Sequence, residues 1–305
     1  MAKVFPFQPY RYAPEAGALE DLLTQPYDKI TPQMQARYLA LSPNNLVRIE
    51  LGERLPSDDV SGNVYTRSAR QLAGWIASGV LKQEEKPAFF PYFQEFSDLD
   101  SGERLVRQGF IGLGAVEDYS AGSVYRHEQT LSGPKQDRLE LLRHMRAHSG
   151  QLFMLYDDRY GEVDGILERA ASRSPIARAR DEYGVVHTLW RIADPDATGR
   201  IQRAMADEKL IIADGHHRYE TALAFHREHP GLQDASRVMM TFVNLRSPGL
   251  RILATHRLVH GLSIELDALL ARARETFTVT EVSTMPPPKA GWVRIGLAAG
   301  NRLLL

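Results

Sequence analysis

Hydrophobic residues recur at helical spacing over some stretches of the chain and at strand spacing over others. From Tyr65 to Leu81 the apolar positions Tyr65, Ala69, Leu72 and Ile76 share one face, which predicts a helix. Phe89 to Phe96 and Leu105 to Val116 have strand character, and "SDLDSGE" between them is turn chemistry, so together they predict a hairpin. The first 60 residues are broken by proline-rich stretches such as "FPFQPYRYAP" and "TQPYDKITPQ". Pro26, Pro32 and Pro43 each restrict the residue before them, leaving room for a short helix over Gln33 to Leu41 and a strand over Leu46 to Leu51.

The second half alternates more regularly. Leu139, Leu142 and Met145 predict a helix from Lys135 to Ala147, and "QLFMLYDD" reads as a buried strand. Helices over Val163 to Ser172 and Asp196 to Asp207 flank the strand "GVVHTLWRI". Lys209 to Ala213 is a strand, and Tyr219, Ala222 and Leu223 mark the apolar face of the helix after it. "RVMMTFVNL" and "RILATHRLV" read as strands, "SIELDALLARARETF" as a helix and "TMPPPKAG" as a loop. This alternation predicts an α/β architecture with a mixed sheet. A change of character near residue 120 divides an N-terminal α/β region with its hairpin, 1–120, from a core, 121–305. The closing "GWVRIGLAAGNRLLL" alternates at Val293, Ile295 and Leu297 and turns at Gly-Asn, so a hairpin cut off in its second strand, and hence a truncated chain, is expected.

Composition narrows the function classes. With 305 residues, 43% of them apolar and 25% charged, the chain can bury a globular core. A net charge of -1 gives no global basic field for nucleic acid, although a local patch stays open. The absence of cysteine removes disulfides, thiolate catalysis and Cys-based zinc sites. No apolar run approaches the roughly 18 residues needed to span a membrane. Pro6 and Pro9 interrupt the start before a signal-peptide core can form, so the expectation is a cytoplasmic protein with no membrane partner.

Chemistry concentrates in "KLIIADGHHRYETALAF", residues 209–225. A strand running through Asp214-Gly215 directly into a helix exposes backbone N–H groups that lack intrahelical acceptors, and these favour an anion. Gly215 permits close approach, while His216, His217 and Arg218 place donors in the first turn. Asp214 suits either the N-cap or a magnesium ion arriving with a nucleotide. Adjacent histidines point about 100° apart on a helix, which argues against a dedicated zinc site. A capped helix with surface histidines remains the competing account.

A second constellation, "RHEQTLSGPKQDR" at 126–138, gathers Arg126, His127, Glu128, Thr130, Lys135 and Arg138. Glu128 beside His127 suits proton abstraction from a hydroxyl, and Lys135 and Arg138 suit phosphate charge. From spacing alone, a solvated loop feeding a helix with Lys135 and Arg138 on its outer face is the stronger reading. Tyr27-Asp28 in "QPYDKITP" and His256-Arg257 are weaker candidates. No Walker A, HExxH, GxSxG or GxGxxG pattern is present.

Taken together, "LIIADGHHRYETAL", "RHEQT…KQDRLELL", "PYDKITP" and "HRLV" resemble a widespread bacterial and archaeal conserved family of unknown function that carries a ParB-like label. The resemblance covers nearly the whole chain. The Asp-Gly-His-His-Arg turn is also similar to that of the archaeal free-serine kinase of the ParB/sulfiredoxin superfamily. This implies a nucleotide-binding core after residue 120, with Gly215 to Arg218 as the phosphate cradle and Glu128 as the base. It implies ATP or ADP with Mg2+ and a phosphotransferase acting on a small hydroxylated metabolite, serine included. A phosphatase using the same site, or a ParB-like nucleotide-binding protein without metabolite kinase activity, are the alternatives. The stretch between Glu128 and Asp214 is longer here than in the compact kinase, and the first 120 residues have no counterpart in it.

Overall fold

The computed structural model describes residues 2–99, 101–128, 132–252, 258–286, 291, 294–299 and 302–305. The chain divides into two compact units, Met1–Arg251 and Ile252–Leu305.

Strands of the first unit are β1 (Val4–Phe5), β2 (Tyr10–Tyr12), β3 (Leu81–Gln83), β4 (Phe90–Ser97), β5 (Arg104–Ala115), β6 (Val124–Tyr125), β7 (Leu152–Tyr156), β8 (Ala177–Arg180), β9 (Val186–Leu189), β10 (Leu210–Asp214) and β11 (Arg237–Asn244). Its helices are α1 (Leu19–Leu22), α2 (Pro32–Leu41), α3 (Val47–Glu50), α4 (Val64–Ala77), α5 (Ser132–Met145), α6 (Glu162–Ala171), α7 (Pro195–Ala206) and α8 (His216–Glu228). Among the described residues one nine-stranded sheet runs β6-β10-β7-β11-β5-β4-β9-β8, with β1 paired to β5. The β10–β6 and β11–β7 pairs are parallel and the others antiparallel, giving the mixed α/β sheet expected. The hairpin forms as β4 and β5. Residue 120 lies between β5 and β6, two strands of this same sheet.

Local chemistry starts the helices where the sequence places them. Thr31 caps α2 ahead of Pro32, Asn63 and Thr66 form a capping box on α4, and Asp194 caps α7 ahead of Pro195. The strand expected over Leu46 to Leu51 is instead the single helical turn α3. Asn45 Oδ1 accepts from Val47 N at 3.0 Å, the Leu46 N–H is spent on Leu22 O, and among the described residues no strand pairs with this segment.

One face of the sheet carries the main core. Ile212, Met154, Phe242 and Phe110 are paired in register across four strands, and α6, α7 and α8 cover them through Ile166, Ile201 and Tyr219. Helix α5 packs on α8 through Leu139, Leu142 and Phe225, and α4 packs on α5 through Trp75, Leu141 and Met145. This stacking places the start of α5 over the start of α8.

The second unit contains α9 (Leu266–Ala273), β12 (Leu297–Ala299) and β13 (Arg302–Leu304). The two strands form the expected hairpin, and Arg302 ties it to α9 by a 2.9 Å bond to Asp267. Most of "RILATHRLV", with His256 and Arg257, lies outside the described residues, as does Val293. Among the described residues no helix is long and apolar enough to cross a membrane.

Candidate functional site

Strand β10 ends at Asp214, and the chain turns through Gly215 straight into α8. Gly215 adopts φ +95°, and a Cβ there would meet Leu152 Cδ2 at 2.9 Å, so both backbone and space call for glycine. Gly215 itself is the N-cap residue and brings no capping side chain, which corrects the N-cap role weighed for Asp214. The Asp214 carboxylate instead accepts a 2.6 Å bond from Arg218 Nη2 one turn further on. Arg218 Nη1 donates to the Gln151 carbonyl, pinning the turn to the chain entering β7.

His216 opens α8 and is only 4% exposed. Its Nε2 accepts from the His127 backbone N–H at 3.5 Å, which leaves Nδ1 as the protonated nitrogen of the neutral ring. That Nδ1 lies 3.7 Å from Glu128 Oε2. The His127 ring meets His216 edge-on at 4.6 Å, with its own Nε2 3.9 Å from Glu128 Oε1. Desolvation, and then the neighbouring His127, push His216 below the ordinary imidazole range; Glu128, Asp214 and Glu220 oppose them.

On the same helix face, Glu220 collects two cations of the upstream constellation. Lys135 Nζ reaches it at 2.8 Å and Arg126 Nη1 at 3.3 Å, while Arg126 also lies over the Tyr119 ring. Glu220 was not anticipated, yet it stands four residues after His216, a spacing that puts both on one face. His217 follows His216 by about 100° around the helix and is partly buried. Thr130 lies outside the described residues.

Arg138 takes a different place from the outer helix face expected for it. It is 7% exposed, donates through Nη1 to the Glu50 carbonyl at 2.8 Å, and stacks on the Tyr27 ring at 4.2 Å. Its Nη2 also holds Asp137 at 2.6 Å, and Tyr65 and Arg54 complete that carboxylate's shell. The Tyr27 loop is thereby joined to the site. Beside it, a cavity of about 40 Å³ is lined by Glu50, Arg138, His148, Ser149, Arg218 and Thr221. The buried Thr221 hydroxyl has no hydrogen-bond partner among the described residues, and this volume suits one water. Desolvation lowers His148 to about 4. Glu50, in the stretch read as a strand, and His148 had no distinguishing sequence signal.

Among the described residues no group of three or more His, Asp or Glu side chains is arranged to hold a metal. A magnesium ion that arrives with a nucleotide needs only one or two carboxylates, and Asp214 and Glu128 are those at the turn.

Fold and site together define a mixed α/β protein with a cluster of histidines and carboxylates where β10, the strand next to the sheet edge, feeds a helix. The chain belongs to the conserved family described as "Protein of unknown function (DUF1015)", whose model matches residues 4–303. No curated protein and no solved structure matches it.

Proposed function

We propose that this chain is a nucleotide-dependent phosphotransferase acting on a small hydroxylated metabolite, serine among the acceptors to be tried, on a ParB-like core. The observation that carries the reading is the approach of Glu128 to His216 at 3.7 Å, which gathers two sequence-distant motifs at one helix start. Phosphates bind at the first turn of α8, where the backbone of Gly215, His216 and His217 and the helix dipole favour negative charge. Lys135 and Arg126, held on Glu220, balance further phosphate charge. The acceptor hydroxyl attacks the terminal phosphorus, the bond to the nucleotide oxygen breaks, and the hydroxyl proton passes to Glu128. His216, neutral and with its proton on Nδ1, orients that carboxylate. Positioning and charge neutralisation account for most of such catalysis.

Calorimetric titration with ATP and ADP, with and without Mg2+, tests the first half, and phosphorus NMR of the products tests the second. Glu128→Gln is expected to keep nucleotide affinity within a few-fold and lose roughly 10²- to 10⁴-fold in turnover. A wild-type protein with neither binding heat nor a thermal shift at millimolar nucleotide would sink the reading. Release of inorganic phosphate with no phosphorylated acceptor would make the protein a phosphatase.

A further inference from the structure

The sheet face opposite α6, α7 and α8 carries its own polar row. Register pairs Arg107 with Gln94 and Gln94 with His187, so these three side chains share that face; Tyr92 and Phe96 flank Gln94 on the same strand. The Arg107 guanidinium is partly buried, 5.5 Å from the Phe96 ring and 5.2 Å from the Phe153 ring. Its Nε donates to the neutral Gln94 Oε1 at 3.0 Å. Among the described residues no carboxylate pairs with it and neither Nη group has a hydrogen-bond partner. Arg104, on the same strand, is by contrast paired with Glu95. The carboxylate at the far end of the row, Asp181, is already committed. It accepts from the Tyr183 and Val185 N–H groups at 2.9 Å and faces His187 Nε2 at 3.2 Å, while His187 Nδ1 bonds the Tyr92 hydroxyl at 2.6 Å.

Partly desolvating a guanidinium without a counter-charge costs free energy, and a structural role would be served as well by an apolar side chain of similar volume. We propose that Arg107, seated between Phe96 and Phe153, anchors a subsite for the carboxylate of a small organic anion. Its two Nη groups, without hydrogen-bond partners among the described residues, form the planar fork that binds a carboxylate through both oxygens. The two rings give the ligand's carbon body an apolar floor. A single positive charge matches a monoanion, whereas a phosphate dianion would leave excess negative charge uncompensated. The inference is independent of the phosphotransferase reading.

The test is thermal shift and calorimetry with acetate and glycerate at constant ionic strength, with inorganic phosphate as a comparison arm. Wild-type protein is expected to gain a saturable rise in melting temperature with the carboxylates. Arg107→Met is expected to lower carboxylate affinity at least tenfold, and Arg107→Lys, which keeps the charge without the fork, several-fold. Equal responses in wild type and Arg107→Met, or no response in wild type, would overturn the subsite. A response to phosphate but not to carboxylate would overturn the ligand class. Should Arg107→Met fail to fold, an undiminished response in Arg107→Lys overturns the proposal by itself. Nucleotide titrations of the wild type report separately on the α8 turn, so either idea can fail alone.

Discussion

Gly215 carries the backbone of the candidate site. Its positive φ and the 2.9 Å approach of Leu152 leave no room for a side chain, so Gly215→Ala is expected to cost about 1–3 kcal/mol. A chemical denaturation series would register this as a lower midpoint with an unchanged slope. Arg218 has a comparable structural duty, since its fork is occupied by Asp214 and Gln151. Its loss would perturb the turn itself, and Glu128→Gln is the cleaner probe of chemistry. The identity of the turn residues was legible because glycine, acid and base types stand in an unusual order. Their partners were not, because a side chain's bonds depend on what the fold brings beside it.

At the level of elements, the pairing of α5 with α8 decides which cations face the site. Lys135 and Arg138 are three residues apart, and the sequence offered both the same outer face. In the fold Lys135 reaches Glu220, while Arg138 turns inward to Glu50 and Tyr27 beneath the N-terminal helices. The energetic consequences differ. Breaking a buried, hydrogen-bonded charge pair from one side costs about 3–5 kcal/mol, whereas partly exposed pairs are worth about 0–1 kcal/mol. Arg138→Ala is therefore expected to destabilise severalfold more than Lys135→Ala in matched denaturant unfolding. Helix α3 teaches the same lesson. Its short apolar run fits a strand or a buried helical turn equally, and the cap at Asn45 together with its packing on α4 selects the helix.

For the molecule as a whole, buried imidazoles set a pH limit. His148 falls from the ordinary 6.5 to about 4 through burial, so the unfolded chain binds a proton there more readily than the folded one. Its stabilisation is complete above about 6.5 and is lost as pH falls toward 4. His216 is shifted in the same direction. Melting temperature is expected to drop through that window by the equivalent of about 3 kcal/mol for His148. His148→Gln should flatten the slope; an identical pH profile in that variant would remove the assignment. His148 lies far in sequence from Glu50 and Thr221, and only the closed fold brings them to one cavity.

By itself the sequence determined the strand and helix periods, the β4–β5 hairpin, the α/β class and the Asp214-Gly215 turn. These rest on short-range spacing, capping and turn chemistry. Tertiary structure decided that one sheet would span residues on both sides of 120. It also set Glu128 beside His216, buried Arg138, and left Arg107 without a counter-charge among the described residues. Such outcomes depend on strand order and helix stacking between distant segments, which local periodicity does not encode.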